Sequence, residues 1–151
     1  GNLFENSITA SEVTPEHFLV EARTAVARAA NPKIQADEIE MHWRQAVSRG
    51  YYAAYHWANS ISGRFVNPPS YGQTGQHKEL IDRLQYVDRK KVYGGSLANQ
   101  IAPLLARSRE ARVKADYYLD QTIYESEVRA TIANVESIKT LVAQFLALHT
   151  S

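Results

Sequence analysis

Arg49 and His56 are the two residues of this chain whose types and spacing point most directly to chemistry. They stand seven apart in the stretch Ser48-Arg49-Gly50-Tyr51-Tyr52-Ala53-Ala54-Tyr55-His56-Trp57-Ala58. In a helix, two turns return a side chain to nearly the same azimuth, about 20° off, with a rise of about 10.5 Å between the Cα atoms. A permanent cation and an imidazole that titrates near neutral pH therefore share one face, across a gap that long side chains can close around a phosphodiester. Tyr51, Tyr52 and Tyr55 lie between them in sequence. At about 100° per residue these rings point in different directions. One or two can line a cleft, stacking bases or bonding phosphate, and the others pack in the core or at an interface. On spacing alone the commoner account is plainer: a solvated cation and a capped or partly buried imidazole.

The elements that must position this pair follow from periodicity. Ile39, Trp43, Ala46, Val47, Ala53, Ala54, Trp57 and Ile61 recur at helical spacing over about residues 37–61, a run with no proline and one glycine. Ahead of it, Thr14-Pro15 reads as an N-cap followed by proline at the first helical position. Phe18, Ala22, Ala25, Val26 and Ala29 make the stripe of a first helix that Asn31-Pro32 ends. Residues 1–13 are polar and weakly patterned and read as a loose arm. The region 64–75, with Pro68-Pro69 and two glycines, reads as a long loop.

A short third helix opens at His77, with Leu80, Ile81, Leu84 and Val87 facing inward. At that boundary His77 reads as a capping or surface residue before it reads as a chemical one. Asp88-Arg89-Lys90-Lys91 and Gly94-Gly95 mark a charged turn and a break. A helix over about residues 96–119 follows, its core drawn from Leu97, Ile101, Leu104, Leu105, Val113 and Tyr117, with Pro103 near its beginning or at a kink. It carries Arg107, Arg109, Arg112 and Lys114, the densest cationic group of the chain. These can meet phosphates, but helical angles scatter them around the axis, and pairing with Glu110 and Asp116 on a solvated face is the simpler account. Val128, Ile132, Val135, Ile138, Leu141, Val142, Phe145 and Leu148 hold helical spacing to the end and read as core. The fold expected is all-α, an up-and-down bundle of four to five helices, formed as a single domain over 14–151.

Composition narrows the classes. The 151 residues contain no cysteine, which excludes a disulfide framework and thiolate zinc sites. A formal net charge of +1 gives no global basic field, so any nucleic-acid site must be local. No run approaches the roughly 18 apolar residues of a membrane span, and the start lacks a signal peptide's basic and apolar regions. The chain is expected to be soluble and cytoplasmic, with no membrane partner. Phosphate-loop, zincin, serine-elbow and EF-hand motifs do not occur, and no cofactor or metal is expected.

Two stretches carry a family resemblance. "SRGYYAAYHWA" resembles the SR-x-YY-A-x-[FY]-H-A-A segment of the HEPN superfamily, and "REARVKADY" is similar to the R-x-x-ADY signature before the last helix of many small prokaryotic members. In order of features the resemblance covers about residues 18–145. It implies the bundle already described and a metal-independent ribonuclease of toxin–antitoxin or defence type, often paired with a nucleotidyltransferase antitoxin. Arg49 and His56 match the family's Arg, six residues, His arrangement, and are assigned the catalytic roles on that basis. Tyr52, Tyr55 and Arg112 are assigned to RNA or nucleotide. Gly50 stands where active members often carry a polar residue, and Trp57-Ala58 replaces the His-x-Tyr ending of one subgroup. One histidine does not easily act as both base and acid, so a homodimer with a composite cleft is expected. A non-catalytic nucleotide or RNA binder, and a helical interaction module partnering a nucleotidyltransferase, are the other readings.

Overall fold

A computed structural model describes residues 12–66 and 75–150. Residues 1–11 of the expected arm and residues 67–74 of the expected loop lie outside the described part. Five α-helices account for most of the rest: α1 (Pro15–Ala29), α2 (Ala36–Ile61), α3 (Gln76–Tyr86), α4 (Gly95–Tyr117) and α5 (Glu125–Leu148), with a single 3-10 turn (Ser62–Arg64) after α2. No strand occurs among the described residues, and no helix there is long and apolar enough to cross a membrane. The all-α bundle expected from periodicity is the fold observed.

Local chemistry sets the helix ends. Pro15 occupies the first position of α1, and the Thr14 backbone N–H donates to His17 Nδ1 at 2.9 Å, so a histidine takes the reciprocal place usually held by Glu or Gln. Gly94 precedes α4 with φ +79°, a left-handed conformation that costs glycine little. A Cβ at Gly94 would sit 3.0 Å from Leu148 Cδ1 and 3.3 Å from a Phe145 ring carbon, so the close approach of α5 also calls for glycine. Pro103 lies inside α4 on an exposed side rather than at its beginning.

The four long helices alternate in direction. Ala22 and Phe18 of α1 meet Gly50 and the Tyr52–His56 region of α2, which runs the opposite way. Helix α4 runs back along α2, pairing Ser48 with Asp116 and Tyr52 with Arg112. Helix α5 then reverses again, with Lys114 bound to Glu127 at one end and Phe145 against Gly94 at the other. Their inward stripes make one large core, in which Leu19, Tyr51, Leu105, Ile138 and Phe145 are fully buried. A smaller cluster at the other end is built on Ala25, Val47, Ala115, Ile123 and Val128. Leu148, expected in the core, is 38% exposed at the last position of α5.

Two polar side chains fasten pieces that apolar packing leaves loose. Arg44, buried on α2, pairs with Glu40 at 2.8 Å and donates to carbonyls at the end of α4 and in the connection to α5: Ala115 at 2.9 Å, Lys114 and Tyr118 at 3.4 Å, and Gln121. It thereby satisfies carbonyls that a helix C-terminus leaves without partners. Asn99 of α4 uses its side-chain amide in the same way on the end of α3, donating to the carbonyls of Leu84 at 3.0 Å, Val87 at 3.1 Å and Gln85 at 3.3 Å.

Gly50, the departure from the family wording, faces away from solvent between α1 and α5. A Cβ added there would lie 3.5 Å from Ile132 Cδ1, 3.6 Å from Val135 Cγ2 and 3.9 Å from Ala22 Cβ, all ordinary contacts. Gly50→Ala should therefore stabilise the protein by about 0.5–1 kcal/mol through the restricted unfolded chain. A melt followed by circular dichroism should show a midpoint about 1–4 °C higher. A lower midpoint would mean that α1 and α5 press closer on α2 than these distances.

Candidate functional site

Two successive turns of α2 supply four side chains to a single polar and aromatic cluster. Tyr51 and Tyr55, four apart, point inward and are 0% and 6% exposed, whereas Tyr52 is half-buried and His56 exposed. Helix α3 begins against this turn. The Tyr51 hydroxyl and His77 Nδ1 lie 2.5 Å apart, a hydrogen bond in which either group can donate. The His77 ring stacks on Tyr55 with centroids 4.3 Å apart and meets Tyr52 edge-on at 6.3 Å. His56 takes the other neighbours, stacking on Phe18 of α1 at 5.5 Å and meeting the edge of Tyr55 at 5.3 Å. The two imidazoles thus sit around one shared ring, that of Tyr55.

Helix α4 brings the cations. Arg112 donates from Nη2 to the Tyr52 hydroxyl at 2.7 Å, and its guanidinium carbon lies 5.3–5.9 Å from the ring centres of Tyr51, Tyr52 and Tyr117. Asp116 Oδ2 is 2.9 Å from Arg112 Nε and accepts from Ser48 Oγ at 3.3 Å. The Arg112 Nε–H does not point at the carboxylate, so the contact is an ion pair and leaves a buried donor without a hydrogen bond. Arg109 stands one turn earlier on the same face of α4, half-buried, close enough for its charge to act on Tyr51 and His77.

The electrostatics follow from this crowding. Burial pushes the Tyr51 phenol far above its ordinary range, although Arg109 and Arg112 pull the other way, so it stays an O–H at neutral pH. Burial likewise raises Tyr55. Burial, followed by the charges of Arg112, Arg109 and His56, holds the His77 imidazole below its usual range, favouring the neutral ring. Burial works against the Arg112 charge but is outweighed by Tyr52, Asp116 and Tyr117, which keep the guanidinium charged. Among the described residues no three His, Asp or Glu side chains converge as metal ligands do.

Of the residues singled out by sequence, the structure brings His56, Tyr52, Tyr55 and Arg112 into this cluster. Arg49 is exposed on α2, one turn before Tyr52, and makes no ion pair or hydrogen bond among the described residues. Two readings need correction. His77 does not cap α3, a place held by Gly75; it is half-buried and bonded to Tyr51. Tyr117 is not core but 65% exposed at the last position of α4, beside Arg112. Of the pairings expected on α4, Arg112 with Asp116 forms, while Glu110 pairs with none of the described residues; Lys114 instead reaches Glu127 of α5, a pair the sequence did not suggest. Arg109 and His77 are the members sequence reasoning did not assign. Tyr51 and Tyr55, four apart on a helix and each needing a polar partner if buried, were the available signal for a group arriving from another element.

No protein-family model, no curated protein and no solved structure matches this chain.

Proposed function

We propose that this chain is a metal-independent endoribonuclease of the HEPN kind, cleaving RNA by attack of a ribose 2′-hydroxyl on the adjacent phosphorus. The observation that carries the reading is the pair of imidazoles, His56 and His77, around Tyr55 and beside Arg112. In-line transesterification needs a base, an acid and a cation at the phosphate, and this cluster has all three in one chain. His77 is the base. Its depressed proton affinity keeps it neutral, and with Nδ1–H donated to the Tyr51 oxygen its Nε2 lone pair is free for the 2′-hydroxyl proton. The 2′-oxygen bonds to phosphorus as the bond to the 5′-oxygen breaks. His56, the more exposed imidazole, takes the acid's place and gives a proton to that leaving oxygen. Arg112, with Arg109, donates to the non-bridging oxygens as charge collects there, and Arg49 holds the flanking strand. The products are a 2′,3′-cyclic phosphate and a 5′-hydroxyl.

The proposal keeps RNA as substrate and, on the strength of the family resemblance, a second copy and a nucleotidyltransferase antitoxin as partners. Because two imidazoles of one chain supply acid and base, the chemistry does not call for a histidine from a second copy.

The test is incubation of the purified chain with end-labelled RNA in EDTA, beside His56→Ala and Arg112→Ala proteins of the same oligomeric state. Cleavage by the unaltered chain alone, leaving cyclic-phosphate ends, is the expected result. Salt-sensitive binding without turnover would make the chain a non-catalytic RNA binder, and neither binding nor cleavage would end the RNA reading.

A further inference from the structure

The end of α4 shows large side chains to solvent on a backbone that is held still. Tyr117, Tyr118 and Leu119 are 65%, 48% and 72% exposed. The segment carrying them is fixed from within. Tyr118 N–H closes on the Lys114 carbonyl at 3.1 Å, the carbonyls of Tyr118 and Gln121 accept from buried Arg44, and Ile123 is 2% exposed in the smaller core. Rigid backbone with exposed aromatic surface is a costly combination for a soluble surface and a common one for a binding face. Tyr117 is further restrained by its neighbour. The Arg112 guanidinium lies 5.4 Å from its ring centre and is itself held by the Tyr52 hydroxyl and Asp116. With the cation against one side and most of the ring exposed, the other face is open to a flat partner.

We infer that Tyr117 is the platform on which a nucleobase stacks when RNA enters the site, with Arg112 joining that base to the phosphate at the imidazoles. This rests on the proposed RNA reading but not on catalysis, since a binder would use the platform equally. A base is the partner that fits. Its π face is sequence-tolerant and stacks on tyrosine, and a guanidinium behind the ring strengthens the pair. The ring already rests beside the Arg112 guanidinium, which reduces the side-chain freedom lost on binding. The platform stands eight residues along α4 from Arg109, about 12 Å at 1.5 Å per residue. It therefore takes a base flanking the scissile phosphate rather than the attacked ribose.

The experiment uses the full chain and a short RNA with 2′-O-methyl riboses, which cannot be cleaved, carrying 2-aminopurine at each position in turn. Unaltered protein and Tyr117→Phe should bind alike and quench 2-aminopurine at one position. Tyr117→Ala, shown folded by circular dichroism, should bind roughly 5- to 150-fold more weakly, the range of one lost base–aromatic stack, with the slope of log affinity against log salt unchanged. Arg109→Gln should instead lower that slope by about one phosphate contact. Tyr117→Ala binding as tightly as the unaltered chain would overturn the platform and leave the RNA reading standing, and would reassign the exposed patch to protein docking. No RNA binding by the unaltered chain would remove both. Loss of stacking in a chain that never cleaves would keep the platform and remove the catalysis.

Discussion

Replacing His77 by alanine should lower RNA cleavage about 10²- to 10⁴-fold, the usual contribution of a positioned general base, while RNA binding changes little. The imidazole is bonded to a buried tyrosine and stacked on another, so its ring is placed before substrate arrives. Single-turnover rates and a separate binding isotherm would divide the two effects. Equal loss of binding and rate would make His77 a binding residue and transfer the base role elsewhere. A pH dependence accompanies this. His77 is depressed by burial and by Arg112, Arg109 and His56, so the acidic limb of the rate profile should fall below the free imidazole's pKa of about 6.5. Arg109→Gln removes one neighbouring cation, lets the ring protonate more readily, and should move that limb upward. The same sign applies to folding. A histidine kept neutral in the native state takes up protons on unfolding, so its stability contribution is complete above the unfolded pKa and is lost as pH falls through the folded one.

Arg44→Ala should destabilise the protein by about 3–5 kcal/mol, combining the loss of a mostly buried ion pair with carbonyl acceptors left unbonded. Its side chain is 7% exposed, beside a Glu40 side chain that is 31% exposed. Its loss leaves Glu40 without its cation and the carbonyls of Ala115, Tyr118 and Gln121 without their donor. The melting midpoint should fall by about 6–20 °C for a chain of this length. Arg44→Lys should recover only part, because an ammonium cannot reproduce the planar fork that reaches several carbonyls and a carboxylate together. A loss under about 1 kcal/mol would show that water replaces these bonds. The connection from α4 to α5 would then owe its order to Ile123 alone.

Helix order and direction were legible because the apolar positions of α2 and α5 repeat too regularly for another structure. Thr14-Pro15 and Gly94 marked helix starts for local reasons that sequence displays openly. The misreadings share a different cause. Tyr117 fits the α4 stripe by period, but the helix ends at that residue, and a ring in the last turn is free to turn to Arg112 instead of the core. Arg44 attracted no attention as a charged residue, yet it is the group that closes α4, a role set by the carbonyls opposite it and not by its own neighbours in sequence. His77 was read by its place at a helix start, where local bonding dominates. Its actual partner is Tyr51, 26 residues away, brought near only when α3 packs. Within the site, Arg49–His56 spacing was readable since both lie on one helix, whereas the His56–His77 relation joins two helices and has no local trace.

The Asn99 amide has a consequence for how this site responds to change. Helix α3 is 11 residues long, too short to be stable alone. It packs mainly on α4, and its last carbonyls are held by that single side chain. Helices of this kind open as units below the global unfolding energy. His77 stands at the end of α3 opposite the latch, so this short helix is tied to the bundle at both ends, by Tyr51 at its start and by Asn99 at its finish. The placement of the imidazole thus depends on both fastenings. Changes at Asn99, 13 residues and about 20 Å along α4 from Arg112 at 1.5 Å per residue, can therefore loosen the helix that carries His77 without altering any residue that touches substrate.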